Sequence, residues 1–484
     1  MKPIMLVLAL TLLGCHALAQ AANPPDQASN LKVGFAERDI TPELGMEEPG
    51  GYGKVFHKKF HDACKVRAVV CDDGKRRVAL VGLDALMVPR HLVVAARKAI
   101  SEKCGIQPGA ILIGASHSHS SGPLGMIQPG EYDHASPLVK ELAYEKSSCA
   151  DVRYLTRVQT EIINAVCQAN EARVTARCGF GFGIEDKAAF NRRVRMKNGA
   201  TFTHPGKGNP DSVEYAGPID PQVGVMGVWD KDGKLLGCVV NYACHATTSP
   251  GGISANWIYY LEKTIRGAMG ADVNVVFLQG ACGDITQVDN LNAAANPAPE
   301  KWAHLVGGRV GAEAVKVLLS MEPGENIPLN AKSNILQIKR RVPDPEKVRS
   351  TADLVKKDPK VVGATEWIFA KEIVLLEALL LKEPIAEVEV QAIQVGPAIF
   401  LANPAELFVQ FGLELKAGSK FPFTFPVELA NGCVGYVPTE EALGPRGGGY
   451  ETRLTSYSNL EPTAGRQIVA AGLELARQMT PGPV

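Results

Sequence analysis

The chain has 484 residues, of which 46% are hydrophobic, so it can bury a sizeable core in one large domain or a few ordinary ones. Lysine plus arginine equal aspartate plus glutamate at 51 each. This balance excludes a strong net field that would draw the protein to nucleic acid or to an anionic membrane surface. We therefore predict no nucleic-acid partner.

The N-terminus is organised like a secretory signal peptide. Lys2 precedes an apolar run over 4–13, and small residues follow up to Ala19. This charged, apolar, A-x-A order is typical of exported proteins, and the run is too short to span a bilayer. We predict a signal peptide over 1–19, a polar leader over 20–30, and a protein that is periplasmic or secreted.

A lipoprotein-type processing site at Cys15 is the alternative, and it would tether the protein through a lipid. Leu13 is bulky where such a site needs a small residue, so we prefer the A-x-A site. Because disulfides persist outside the cytosol, we expect some of the other cysteines to pair. For Cys238, Cys244 and Cys282, which lie in apolar strand-like runs, we expect buried unpaired thiols.

From about Leu31 onward, strand and helix patterns alternate. Short β-branched runs predict strands at 66–71, 77–83, 110–113, 236–242, 273–278, 388–395 and 398–401. Helical periodicity predicts helices at 91–102, 139–171, 258–269 and 302–321. This interleaving is typical of an α/β (mixed α+β) architecture, in which helices flank mixed β-sheets and the active site lies at the C-terminal ends of strands.

Two segments depart from this alternation. Residues 342–384 are charged and helical, and the apolar run 373–381 within them is too short for a bilayer span. We predict a helical insertion packed on the main body. Residues 435–458 are rich in Gly, Pro and Tyr and predict a structured loop, since loops of this length in compact domains are usually functional or disordered.

Two histidines follow the strand predicted at 110–113. His117 and His119 are two residues apart, and in extended backbone such side chains point to the same side. An H-x-H pair alone is more often incidental than a metal site. His245, however, follows the strand predicted at 236–242 in a similar context. Because open α/β sheets gather active-site groups at strand ends, the two ends together predict a shared site.

The strand predicted at 273–278 leads into a third polar turn. Gly280 and Gly283 predict a tight turn that presents Asp284 and Thr286. A turn in which Asp and Thr bond only to their own backbone would have the same sequence, so this segment is neutral by itself.

Several short motifs follow one another in a definite order and spacing. They are Arg38-Asp39-Ile40-Thr41-Pro42, Gly51-Tyr52-Gly53, Ser116-His117-Ser118-His119-Ser120 with Gly122-Pro123, Phe190-Asn191-Arg192, the segment 241–245, Gly283-Asp284-Ile285-Thr286, Pro404-Ala405-Glu406 and Gly435-Tyr436-Val437. In this order they resemble the catalytic domain of the neutral/alkaline, non-lysosomal ceramidases. The resemblance covers 33–479, and it implies a catalytic domain over 31–480.

The resemblance implies a zinc enzyme. It implies Zn²⁺ as the cofactor, with the ligands His117, His245, Glu406 and Tyr436, a set of nitrogen and oxygen donors that suits zinc and leaves room for water. The implied activity is cleavage of the N-acyl amide bond of ceramide or of a related N-acyl lipid. The implied partners are a small-molecule lipid or amide substrate and, peripherally, a membrane.

The same resemblance implies the catalytic groups. His119 matches a histidine that accepts or relays a proton, and Arg192 matches the arginine of the Asn-Arg motif. Tyr450 matches a tyrosine that assists at the substrate carbonyl. Asp284 and Thr286 belong to the motif that carries the nucleophilic serine of the family.

Some of these residues also have ordinary structural interpretations. Glu406 can begin an amphipathic helix over 406–416, and Tyr436 can be a packed loop aromatic. Arg192 can belong to a solvated cluster of arginines.

Two departures from the family pattern leave alternatives open. Thr286 replaces the serine, so either it is a hindered nucleophile or a water on the metal attacks and Thr286 only positions that water. The resemblance does not extend to the C-terminal immunoglobulin-like domain, so we expect lipid presentation to differ. The alternative functions for the protein are a zinc hydrolase of another amide or an ester, and a catalytically inactive secreted binding protein.

Overall fold

The computed structural model describes residues 31–324 and 327–484. The predicted signal peptide and leader, and with them Cys15, lie outside the described residues. Within these two ranges no helix has the length and apolar character needed to cross a membrane.

Strands and helices alternate, which confirms the mixed α/β fold class. The strands are β1 Lys32–Asp39, β2 Lys65–Asp72, β3 Arg77–Leu83, β4 Ile111–Ala115, β5 Val174–Ile184, β6 Phe190–Asn191, β7 Arg193–Met196, β8 Thr201–Thr203, β9 Ser212–Tyr215, β10 Gln222–Asp230, β11 Leu235–Tyr242, β12 Asn274–Gln279, β13 Ile285–Thr286, β14 Leu329–Lys339, β15 Ile385–Val395, β16 Ala398–Ala402, β17 Glu406–Leu407, β18 Phe423–Val427 and β19 Tyr436–Val437. The helices are α1 Arg90–Cys104, α2 Pro137–Lys140, α3 Val152–Glu171, α4 Trp257–Met269, α5 Pro299–Leu319, α6 Pro345–Leu354, α7 Pro359–Val362, α8 Ala364–Lys382, α9 Val409–Gly418, α10 Glu440–Leu443 and α11 Ala464–Arg477.

One long predicted helix is broken in the structure. The pattern over 139–171 divides into α2, a π-helical turn at Glu141–Glu145, and α3. The prediction of one helix was wrong because Asp151 lies at an N-cap, where its carboxylate accepts the backbone N–H groups of Arg153 and Tyr154. Such a side-chain cap stabilises a helix start and competes with helix continuation.

The main sheet has eight strands in the order β12-β11-β10-β5-β1-β2-β3-β4. The pairs at its two ends, β11 with β12 and β3 with β4, are parallel, and the strands between them are antiparallel. A second sheet, β14-β15-β16-β18, lies beside it. In each parallel pair, the carboxyl ends of the two strands therefore lie at the same edge of the sheet. The polar motifs begin at these ends.

The main sheet curls so that its two ends approach each other. A Cβ at Gly82, on β3, would lie 2.3 Å from the carbonyl oxygen of Phe277, on β12, so this contact requires a glycine. Just beyond β4 and β11, an isolated parallel bridge pairs Ser118 with Ala246. The backbone N–H of His119 donates to the Ala246 carbonyl at 3.1 Å. The curl thus joins the two histidine-bearing strand ends.

The segment 342–384 folds into α6, α7 and α8. The apolar run predicted at 373–381 lies in α8, and its side chains form a separate core with residues of the segment 127–143. This burial explains why α8 is apolar around much of its circumference without being a membrane span.

No disulfide joins two of the described cysteines, so the expectation of pairing was wrong within this part of the chain. The expected buried thiols are confirmed at Cys238, Cys244 and Cys282.

Candidate metal centre and its cavity

The first histidine pair is presented by a strained turn at the end of β4. His117 has a φ of 62°, a left-handed conformation that few residues other than glycine adopt and that is frequent at functional sites. The extended backbone that we assumed for the pair is therefore not present at His117. The imidazoles of His117 and His119 nevertheless meet, with ring centroids 4.7 Å apart.

Four side-chain atoms converge on one point. Glu406 Oε2 lies 3.2 Å from His117 Nε2 and 3.3 Å from His245 Nε2. His119 Nε2 lies 3.2 Å from His117 Nε2. Ligands at zinc–nitrogen distances of about 2.0–2.1 Å in a tetrahedron are about 3.4 Å apart. These separations are therefore the edges expected around a single ion.

The cluster also contains buried polar atoms that lack a hydrogen bond. His245 Nε2 and Glu406 Oε2 are both buried and make no hydrogen bond within the described part of the chain. A buried polar atom without a partner is costly. Because both atoms are good metal ligands and face the same point, the donor set fits a divalent cation.

Hydrogen bonds behind the histidines fix their orientation. The Nδ1–H of His117 donates to the carbonyl of Leu86 at 2.9 Å, which leaves Nε2 free to bind an ion. His245 Nδ1 lies 3.4 Å from Cys282 Sγ, and the Cys282 thiol donates to Glu428 Oε1 at 2.9 Å. His245 is thus connected through a thiol to a buried carboxyl group.

Burial keeps the imidazoles of His245 and His119 neutral. It lowers the pKa of His245 to about 3, helped by nearby Arg192 and His117. Burial also lowers the pKa of His119 well below its usual range, with His117 and His245 adding to the shift. Neutral imidazoles have the free lone pair that metal binding requires.

Glu406 and Tyr436 are brought together by a short parallel strand pair. Glu406 on β17 is in register with Tyr436 on β19, although the two residues are distant in the sequence. Glu406 lies in a strand that ends before α9, so the interpretation as the start of a helix over 406–416 was wrong. Close packing helps to hold β17, because a Cβ at Gly283 would lie 2.4 Å from the Glu406 carbonyl oxygen.

The two glycines of the third turn pack closely against the backbone of neighbouring segments. The predicted tight turn is present, because the N–H of Ile285 donates to the Cys282 carbonyl at 2.8 Å around Gly283 and Asp284. Neither Gly280 nor Gly283 has a positive φ, so a left-handed conformation is not the reason for glycine at these positions. A Cβ at Gly280 would lie 3.0 Å from the backbone of Ala243, and Gly283 packs against Glu406. A side chain at either position would push apart the strand ends that carry the candidate ligands.

Arg192 is buried beside two tyrosines rather than solvated with its neighbours. Its Nε donates to Glu451 Oε1 at 2.6 Å and its Nη2 to the carbonyl of Gly283 at 2.7 Å. The guanidinium carbon lies 5.0 Å from the ring centroid of Tyr450 and 5.5 Å from that of Tyr436. The hydroxyl oxygens of the two tyrosines are 3.4 Å apart.

A cavity of about 360 Å³ opens onto the cluster. Its lining residues are Gly50, Gly51, Tyr52, Leu86, His117, His119, Met126, Thr365, Ile368, Phe369, Glu406, Tyr436, Tyr450 and Tyr457. A lining that combines a few polar groups with apolar side chains is typical of a site for a partly apolar small molecule. Gly50 (φ 103°) packs directly on His119, since a Cβ there would lie 2.2 Å from His119 Nδ1.

Four of the sequence candidates do not line this cavity: His245, Arg192, Asp284 and Thr286. Asp284 Oδ1 accepts the N–H of Val409 at 2.9 Å, at the start of α9, and Oδ2 accepts from Asn191 at 2.8 Å. Asp284 thus joins three segments behind the candidate centre. The Thr286 hydroxyl donates to Gln287 Oε1 at 3.1 Å, while the preceding Ile285 carbonyl accepts the N–H of His245 at 3.2 Å.

Sequence reasoning missed the contribution of α8 to the cavity. Thr365, Ile368 and Phe369 of this helix line it. The available signal was the apolar character of the helix, which predicts burial but does not say against which surface.

The fold and the cluster define a class: mixed α/β proteins in which buried histidines and a glutamate at strand ends could hold one metal ion. No family model matches the sequence. The neutral ceramidase of Pseudomonas aeruginosa is 26% identical over an alignment of 327 residues, and the match covers 63% of this chain and 44% of that protein. The chain is thus similar to this neutral ceramidase, and the match spans less than half of that protein's length.

Solved structures support the same relationship at the level of the fold. The crystal structure of neutral ceramidase from Pseudomonas aeruginosa superposes with a TM-score of 0.66 at 18% identity, covering 94% of this chain and 76% of that one. A structure described as ceramidase complexed with C2 gives the same values.

Proposed function

We propose that the protein is a zinc-dependent hydrolase that cleaves the N-acyl amide bond of ceramide or of a related N-acyl lipid. The observation that carries this proposal is the convergence of His117 Nε2, His245 Nε2 and Glu406 Oε2 beside a partly apolar cavity that His117 and Glu406 line. Amide hydrolysis needs an activated water and a stabilised carbonyl oxygen, and a hydrocarbon substituent needs an apolar wall. The similarity to neutral ceramidase supports an N-acyl lipid as substrate.

The donor set supports zinc as the ion. Two imidazoles and a carboxylate would hold it, and Tyr436, whose strand pairs in register with that of Glu406, would be the fourth ligand. His119, whose Nε2 is equally close to His117, is the competing donor. When bound, zinc lowers the pKa of a water ligand to ~7 and polarises a carbonyl group.

The remaining groups act on the substrate carbonyl and the leaving amine. Tyr450 lines the cavity next to Tyr436, where its hydroxyl can donate to the oxygen on which negative charge develops. Arg192 packs against both rings and places them. His119 takes a proton from the attacking water and returns it to the departing nitrogen as the C–N bond breaks.

Thr286 has a positioning role in this proposal. A hydroxyl nucleophile needs a base that accepts its proton, whereas the Thr286 hydroxyl donates to the amide oxygen of Gln287. Thr247 donates to the same oxygen at 3.0 Å. Thr286 therefore helps to fix the turn that supports His245, which favours direct attack of water over a covalent intermediate.

Thr286→Ala is expected to keep kcat within about tenfold of the wild type, whereas loss of a true nucleophile would lower kcat by about 10⁶. Steady-state kinetics of the wild type, Thr286→Ala and Thr286→Ser measure the difference. Collapse of activity in Thr286→Ala together with full activity in Thr286→Ser would establish the covalent route instead.

A substrate panel tests the reaction class. We expect release of free amine from N-acyl lipids, loss of this activity with a chelator, and recovery on addition of zinc. Hydrolysis of esters or polar amides alone would identify a hydrolase of another bond. Zinc binding without hydrolysis of any member of the panel would identify a binding protein.

Cys282→Ala is expected to lower zinc affinity by about 10–100-fold, because it removes the partner of His245 Nδ1, and outer hydrogen bonds of this kind orient metal ligands. Competition with a chromogenic chelator measures the affinity. Cys238→Ala is the matched control, since it removes another buried thiol, from β11. Equal affinities in the two variants would contradict a role for Cys282.

A further inference from the structure

A lysine without solvent exposure lies on α8, close to the cavity. The Lys371 side chain is 0% exposed, and an isolated buried ammonium is strongly unfavourable. Its Nζ donates to the Tyr52 carbonyl at 2.6 Å and to Ser147 Oγ at 2.5 Å, and it forms an ion pair with Glu372 Oε1 at 3.1 Å. The ammonium is thus held by two hydrogen bonds and one ion pair.

Glu372 extends this contact to another segment. Its carboxylate is buried, pairs with Lys371 and accepts a hydrogen bond from the Ser456 hydroxyl. Ser456 precedes Tyr457, which lines the cavity, as does Tyr52. The pair on α8 therefore holds two separate parts of the cavity lining, together with Ser147.

The same turn of α8 supplies the apolar wall. Ile368 and Phe369 line the cavity. The Phe369 ring lies 6.2 Å from that of Tyr52, and the Arg453 guanidinium carbon lies 3.4 Å from the Phe369 ring centroid. Any shift of α8 relative to the loops that carry Tyr52 and Tyr457 would change the length of the apolar part of the cavity.

We propose that Lys371 and Glu372 are positioning residues that set the hydrocarbon chain length accepted by the cavity, by locking the Ile368–Phe369 wall onto the segments that carry Tyr52 and Tyr457. A buried ion pair is weak evidence for stability, because apolar replacements of similar size are often as stable, but it specifies one arrangement. This inference rests on the proposed function, in which the cavity takes the acyl chain of the substrate.

The test compares the binding of palmitate and octanoate to the zinc-loaded full chain, by displacement of a fluorescent fatty acid. The double variant Lys371→Met/Glu372→Gln removes both charges while keeping side chains of similar size, so we expect it to fold. Its palmitate-to-octanoate affinity ratio is expected to change by about tenfold, the scale on which apolar pockets discriminate chain length. Phe369→Ala, which shortens the wall itself, should change the ratio in favour of palmitate.

Lys382→Met is the matched control, because it removes a half-exposed lysine from the end of the same helix, and its ratio should equal that of the wild type. An unchanged ratio in the folded double variant overturns the proposal. If the double variant lacks a cooperative thermal transition, Ser456→Ala is the deciding variant. It removes only the hydrogen bond between Glu372 and the segment that carries Tyr457. An unchanged affinity ratio in Ser456→Ala would also overturn the proposal. The hydrolysis panel is a separate measurement, so failure of the proposed activity is distinguishable from failure of this inference.

Discussion

Replacing both His117 and His245 with alanine is expected to abolish zinc binding and to reduce amide hydrolysis to background. Each replacement removes an Nε2 atom that lies 3.2 or 3.3 Å from Glu406 Oε2. A carboxylate left with at most two neighbours cannot hold zinc in the tetrahedral coordination that such sites require. Metal content of the purified variant, measured by mass spectrometry beside the wild type, checks the first part without reference to activity.

Thermal unfolding gives a second readout of the same centre. A ligand that binds only the native state stabilises it by mass action, so a chelator should lower the Tm of the wild type and leave that of the double variant unchanged. His91→Ala/His134→Ala, which removes two exposed histidines, should retain both zinc and the chelator-dependent Tm. Equal zinc content in wild type and His117→Ala/His245→Ala would refute the assignment of the centre.

Tyr450→Phe is expected to lower kcat by about 10²–10³, the usual effect of removing one donor to a developing oxyanion, with zinc content unchanged. The reason is its location, since its hydroxyl lies 3.4 Å from that of Tyr436 and its ring lines the cavity. Steady-state kinetics on an N-acyl substrate, together with metal analysis, measure the two quantities separately.

The control for this prediction is Tyr457→Phe. Tyr457 lines the same cavity, but its hydroxyl contacts Cys433 Sγ at 3.3 Å, so kcat should stay close to that of the wild type. Loss of zinc in Tyr450→Phe would show that this tyrosine supports the metal. An unchanged kcat in Tyr450→Phe would show that the Tyr450 hydroxyl takes no part in the reaction.

Much of the architecture could be predicted because its signals are local. The periodicity of apolar residues located β2, β3, β4, β11, β12, β15 and β16, and it located α1, α4 and α5, within a few residues. It failed at the break before α3, where one aspartate forms a cap. The disulfide expectation also failed, because the cellular compartment and the number of cysteines say nothing about which thiols meet.

The candidate site was likewise predicted from the sequence only in part. His117, His119, Glu406, Tyr436 and Tyr450 were selected by motif order and contact one another or line one cavity. Asp284 was selected by the same order, but its carboxylate accepts the backbone N–H of Val409 and the Asn191 amide behind the centre. A motif therefore specified which residue types are present without specifying which of them face the cavity.

The sequence by itself determined where strands end in polar turns and which donor atoms those turns carry, because both depend on neighbours within a few residues. Only the tertiary structure decided that the curl of the main sheet pairs Ser118 with Ala246 and that β17 lies in register with β19. It also placed residues of α8 and of the histidine cluster around one cavity. These contacts join residues far apart in the chain, so they depend on how whole faces pack, which no local pattern encodes.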